Sequence, residues 1–215
     1  MTKKFLLSAL TVVSFTVAHS QIKKLDVNNL PKDIKYEGKI IDAVRYTDGL
    51  GDNIVLTTET GIYQSKKFKH ESDGSDAELF AYHYIIKNGA ATPTWKVYDY
   101  ISDCPVDIEA SFVKDTFQVT DLDKDGTKEV WMMYKTVCHG DVSPCDMKVI
   151  MYEGTQKYAL RGENKVAVGK NDNGEYQYIG GEYKADPAFA NGPAAFLAFA
   201  KALWAKNIMQ KWGEE

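Results

Sequence analysis

Residues 120–137 read TDLDKDGTKEVWMMYKTV. Asp121, Asp123, Asp125 and Glu129 fall within nine positions, and the chain then turns apolar. Four such carboxylates repel one another at neutral pH, and a divalent ion among them reverses that sign. The apolar half decides what kind of turn this is. From Glu129 to Val137 the side chains alternate. Val130, Met132 and Tyr134 share one face, with Trp131, Met133 and Lys135 on the other, which is the period of a strand. An EF-hand needs flanking helices and a bidentate Glu at its twelfth position; counted from Asp121, Met132 stands there. The stretch therefore predicts a DxDxDGxxE calcium turn between β-strands.

The predicted ligands are the carboxylates of Asp121, Asp123, Asp125 and Glu129 and the carbonyl of Thr127, with Gly126 supplying the bend. Calcium takes roughly six to eight hard oxygens, whereas magnesium keeps its waters and seldom sits in an all-protein cage. The competing reading is a polar Asp/Gly turn that holds no ion. The earlier loop with Asp48, Asp52 and Asn53 has too few acids at the wrong spacing and reads as a bare turn.

Working outward, strand-like runs dominate: KIIDAVRYTD (39–48), NIVLTTETGIYQS (53–65), ELFAYHYIIKN (78–88), TPTWKVYDYIS (92–102), DTFQVTD (115–121), MKVIMYEG (147–154), YALRGE (158–163) and YQYIGGEY (176–183). No helices intervene, so antiparallel sheets are expected. VRYTDGLGDNIVLTTE (44–59) and VTDLDKDGTKEVWMMYK (119–135) share an order of strand, Thr-Asp, turn, strand. This fits two related four-stranded units, and equally a chance likeness between two turns. The C-terminal segment differs. A helix is expected at about 193–212, starting at Asn191-Gly192-Pro193, with Phe196, Phe199, Leu203 and Met209 on one stripe. Ala195, Ala200, Trp204 and Ile208 widen the stripe, which should pack on a sheet face. The fold class is thus mainly β with a C-terminal amphipathic helix, α+β overall: one domain over 37–215 after an irregular lead-in at 21–36.

The chain opens MTKKFLLSALTVVSFTVAHSQ. Two lysines, an apolar run too short to span a bilayer, and small residues at Ala18 and Ser20 have the order of a signal peptide, with cleavage expected before Gln21. Residues 1–20 are then a leader, and the rest is periplasmic or extracellular, with no further membrane span. The net charge is −4 and no basic stripe is present, which excludes nucleic acid as a natural partner. Three cysteines, Cys104, Cys138 and Cys145, imply one disulfide and one odd thiol in an oxidising compartment. Cys138–Cys145 would close a short loop and Cys104–Cys138 would tie distant segments; the spacing does not choose between them.

Motifs for catalysis are absent: no GxSxG elbow, HExxH, phosphate-binding glycine loop or CxxC. His70 sits in a charged loop, His83 reads as a sheet-face residue, and His139 follows Cys138 but points to the opposite face of a strand. Acids near the cysteines (Asp103, Asp107 and Glu109; Asp141 and Asp146) could form a patch for glycoside cleavage, though surface solvation is the default. Thirteen tyrosines and four tryptophans include exposed rings that could stack on sugars.

The segments DCPVDIEASF (103–112), TDLDKDG (120–126), CHGDVSPCDMKVIMYEG (138–154), KYALRG (157–162) and DPAF (186–189) resemble a family of secreted bacterial proteins labelled surface-polysaccharide biosynthesis proteins. The resemblance spans roughly 95–212. It implies the Asp121, Asp123, Asp125 turn and a cysteine pair matching Cys104 and Cys138, with Cys145 a departure; it carries no reaction and no catalytic residues. The expectation is an exported calcium-binding β-domain, without catalytic residues, that supports surface polysaccharide or envelope assembly by binding glycan or an envelope protein. The competing expectations are a glycan-acting hydrolase or transferase using the acids near Cys104 and Cys138, and a protein-binding inhibitor or adhesion module using the 137–147 loop.

Overall fold

A computed structural model describes residues 22–210. The leader expected at 1–20 lies outside the described residues. The first five strands, β1 (Lys23–Lys24), β2 (Lys39–Asp48), β3 (Gly51–Tyr63), β4 (Ser75–Lys87) and β5 (Ala90–Cys104), form one antiparallel sheet in chain order. Next come β6 (Asp107–Phe112), β7 (Gln118–Thr120), β8 (Glu129–His139), β9 (Asp146–Glu153) and β10 (Gln156–Glu163). The strands β11 (Lys165–Lys170) and β12 (Tyr176–Gly180) pair as a separate ribbon, and β13 (Tyr183–Ala185) returns to β10. The second sheet runs β13-β10-β9-β8-β6, with β6 on the 134–139 half of β8 and β7 on the 129–131 half.

The alternation in 129–137 sets the layers. Val130, Met132 and Tyr134 enter a core shared with Val55, Leu79 and Val97 of the first sheet. Trp131 and Met133, on the opposite face, pack beneath Phe196, Ala200, Leu203 and Trp204 of helix α2 (Ala194–Asn207), which follows the short helix α1 (Ala188–Asn191). The strand is buried on both sides because one face meets a sheet and the other a helix. The outer face of the first sheet (Ile54, Leu56, Phe80 and Tyr82) is covered by Leu25, Leu30 and Ile34 of the N-terminal arm.

The structure corrects several expectations of detail. The lead-in carries β1 and a 3-10 turn at Val27–Asn29, and Leu25 N donates to Ala43 O at 2.8 Å. Helix α2 stops at Asn207 because the chain leaves it to pair with Lys165: Lys165 N donates to Ile208 O at 2.6 Å and Gln210 N to Lys165 O at 2.8 Å. Met209 therefore lies off the stripe and is exposed, as is Ala195. Strands β6, β11 and β13 are additions to the expected set. Pro105 and the acids Asp103, Asp107 and Glu109 mask β6, and the bulge between Ala167 and Gly169 breaks the period of β11.

Two four-stranded antiparallel meanders, β2-β3-β4-β5 and β7-β8-β9-β10, recur in the two sheets. The Asp48 turn and the Asp121 turn each join the first strand of a meander to its second. A disulfide joins Cys104, at the end of β5, to Cys138 in β8, with the Cα atoms 5.8 Å apart, so it ties one sheet to the other.

Candidate metal centre

The acidic turn is built from local hydrogen bonds. Asp125 N donates to Asp123 Oδ1 at 3.2 Å, and Thr127 N donates to Asp125 Oδ1 at 2.7 Å, so each aspartate caps the residue two ahead. Lys124 and Gly126 adopt φ of 63° and 88°; the second is where only glycine turns without strain. Glu129 is fully buried at the head of β8. Its carboxylate accepts Leu122 N at 3.0 Å and the Thr120 hydroxyl, and Trp131 Nε1 donates to Thr120 Oγ1 at 2.8 Å. The side chain is thus aimed back across the turn by the strand that carries it.

Two groups of three carboxylates result. Asp121, Asp123 and Glu129 bring one oxygen each within 4.8 Å of one another, and so do Asp123, Asp125 and Glu153. Asp123 belongs to both. Thr127 is held by its amide to Asp125.

Glu153 is absent from the ligand set expected from the sequence. It ends β9 and pairs directly with Glu129 across the β8–β9 ladder. It is the only acid in MKVIMYEG, which is the available signal, but only the register of β9 on β8 brings it to the turn. Two like charges directly opposite are unfavourable on a sheet. Burial, then Asp123, Asp125 and Glu129, push the Glu153 acid up to about 7. Burial also raises that of Glu129, against the opposing bonds from Thr120 and Leu122. Asp121 Oδ1 and Glu153 Oε1 are buried with no hydrogen-bond partner in the protein. Orphaned buried acceptors are costly. Asp121 belongs to one group and Glu153 to the other, joined through Asp123, so a cation bound there is the kind of partner these oxygens lack.

The other acids singled out in the sequence are used locally. Asp48 accepts Leu50 N at 2.9 Å and Asn53 Nδ2 at 2.8 Å, and Asp52 pairs with Arg45. Asp103 accepts the Ser72 hydroxyl at 2.7 Å and Glu71 N at 2.8 Å, which keep its carboxyl below the ordinary range. Asp141 likewise anchors Ser143, accepting its amide at 2.8 Å. Asp107 and Asp146 are exposed. Glu109 accepts a weak bond from Cys145 Sγ at 3.6 Å; this free thiol is buried and pushed up to about 12 by burial first and Glu109 next. His139 Nδ1 meets Ser143 O at 3.0 Å, while His70 faces buried Asp76 at 2.8 Å. His83 is buried with Nε2 3.0 Å from Asn53 Oδ1.

The tyrosine-rich outer face of the first sheet is a self-stacked column. Phe68–Tyr100 (4.8 Å), Tyr100–Tyr98 (5.4 Å), Tyr98–Phe80 (5.0 Å) and Phe80–Tyr82 (5.9 Å) occupy one another's faces. Tyr98 and Tyr100 thus each have two ring neighbours stacked on them, which compete with a sugar for their faces. Among the described residues no helix is long and apolar enough to cross a membrane. No protein-family model, no curated protein and no solved structure matches the chain.

Proposed function

We propose that the protein is an exported calcium-binding β-domain whose cation fastens the turn between β7 and β8. The residues that would hold it are Asp121, Asp123, Asp125, Glu129 and Glu153, with the Thr127 carbonyl as a further oxygen. The observation that carries this reading is the pair of unpartnered buried oxygens, Asp121 Oδ1 and Glu153 Oε1, in a cluster that forms no salt bridge to a cationic side chain among the described residues. All donors are oxygens and they outnumber what magnesium takes from protein, which favours calcium. The role is structural: Glu129 also fastens the turn through Leu122 N and the Thr120 hydroxyl, and the reading assigns no catalytic residue. The link to surface polysaccharide or envelope assembly, through a cell-surface glycan or an envelope protein, rests on the resemblance carried by the 103–112, 120–126 and 138–154 segments.

Differential scanning calorimetry tests the cation. An ion that binds the folded state alone stabilises it by about 2.7 kcal/mol at a hundredfold excess over Kd. The expected result is a Tm that rises with calcium and falls with chelator, and an Asp123→Ala variant indifferent to both. A wild-type melting curve unmoved by chelator and by millimolar calcium overturns the reading.

A further inference from the structure

We infer that the turn at Asp48–Leu50, in the first sheet, is the positioning element of the cation site in the second. The inference rests on the cation reading above. The two turns occupy the same place in their meanders and begin with the same pair, Thr47-Asp48 and Thr120-Asp121. Their side chains do different work. Asp121 leaves an oxygen without a partner, whereas both oxygens of Asp48 are engaged.

One of those engagements crosses between the sheets. Asp48 Oδ2 accepts Lys128 N at 3.1 Å, and Gly49 N donates to Gly126 O at 2.8 Å. Together they grip the arm of the acidic turn that leads from Asp125 into Glu129. A Cβ at Gly49 would stand 3.3 Å from Gly126 O, a tight contact that glycine avoids. Leu50 reaches the other arm. Its Cδ1 lies 3.4 Å from where a Cβ on Gly154 would stand, beside Glu153. The first turn thus lies beside the residues that flank Glu129 and Glu153. Asp48 is itself fixed: Asn53 Nδ2 donates to Oδ1 at 2.8 Å, Asn53 is fully buried, and its own Oδ1 meets His83 Nε2 at 3.0 Å.

A residue that orients ligands without touching the ion typically costs roughly ten- to a hundredfold in affinity when changed. Asp48→Asn and Asp52→Asn form the test. Each removes one negative charge from the β2–β3 hairpin, and Asp52, which pairs with Arg45 and makes no bond to the acidic turn, is the control for charge. Only the first disturbs the grip: the NH2 it introduces must face either Lys128 N, which breaks the contact between the sheets, or Leu50 N and the Asn53 amide, which hold Asp48 in place. Calcium titration by calorimetry of the full mature chain is expected to show Kd raised roughly tenfold or more by Asp48→Asn, and unchanged by Asp52→Asn. Amide exchange at Lys128 in calcium-free protein is expected to quicken in the first variant alone. Leu50→Ala, at an exposed position that folding tolerates, is expected to raise Kd by a smaller factor and keeps the test open if Asp48→Asn folds poorly. Equal Kd values in wild type, Asp48→Asn and Leu50→Ala overturn the inference, as do equal losses in Asp48→Asn and Asp52→Asn. Wild-type protein that takes up no calcium overturns the cation reading itself, and the positioning role with it.

Discussion

The fold disturbs the titration of Glu153 and His83 in opposite senses. The Glu153 acid is raised to about 7 by burial and by three neighbouring carboxylates. Its folded value lies above its unfolded one, so its contribution to stability is full below about 4.5 and is lost as pH rises through 7. Urea denaturation in chelator is expected to give lower stability at pH 8 than at pH 6, a loss that Glu153→Gln relieves and calcium reverses. His83 is buried against Asn53 and Thr94, and burial lowers it to about 4. Here the unfolded chain takes up the proton first, so stability is lost as pH falls from about 6.5 towards 4. His83→Gln is expected to flatten the acid side of the stability profile measured by urea titration. The two windows overlap, so the variants are needed to separate them. Neither shift is legible in the sequence: FAYHYII and MKVIMYEG show a histidine and an acid on strands, but not what faces them.

At the scale of elements, β8 carries the fold. Met132 and Met133 are both fully buried, one towards the first sheet and one beneath α2. Truncating either leaves a cavity, so Met132→Ala is expected to cost about 2–5 kcal/mol by denaturant unfolding. Phe196→Ala, on the helix that caps Trp131 and Tyr158, is expected to cost about 3–5 kcal/mol. The faces of β8 follow from a period of two, and the bounds of β2 are legible because a Gly-rich turn ends it. The end of helix α2 is not legible in the same way. Ile208 and Met209 continue the apolar stripe, but pairing with Lys165 draws the chain out of the helix. That competition involves residues more than forty positions apart and leaves no local trace.

For the whole molecule, the Cys104–Cys138 bond spans 34 residues and closes one sheet onto the other. Constraining the unfolded chain over such a loop stabilises by roughly 2–4 kcal/mol. Reduction, or Cys104→Ser with Cys138→Ser, is expected to lower unfolding free energy by that amount. The remaining thiol, Cys145, is 1% exposed. It is expected to be silent to a thiol reagent in the native protein and to react stoichiometrically in urea.

The sequence by itself determined that this is a β-protein with one substantial helix, which residues of 129–137 share a face, and that 121–129 forms a charged turn between strands. Those properties depend on neighbours a few positions away, so side-chain periodicity and turn chemistry expose them. Only the tertiary structure decided that Glu153 joins the turn, that Asp48 grips it from the other sheet, and that Tyr98 and Tyr100 stack in one column with Phe68 and Phe80. Each of these depends on strand register or on one sheet lying against another, and register is settled by the summed packing of many distant side chains rather than by any one segment.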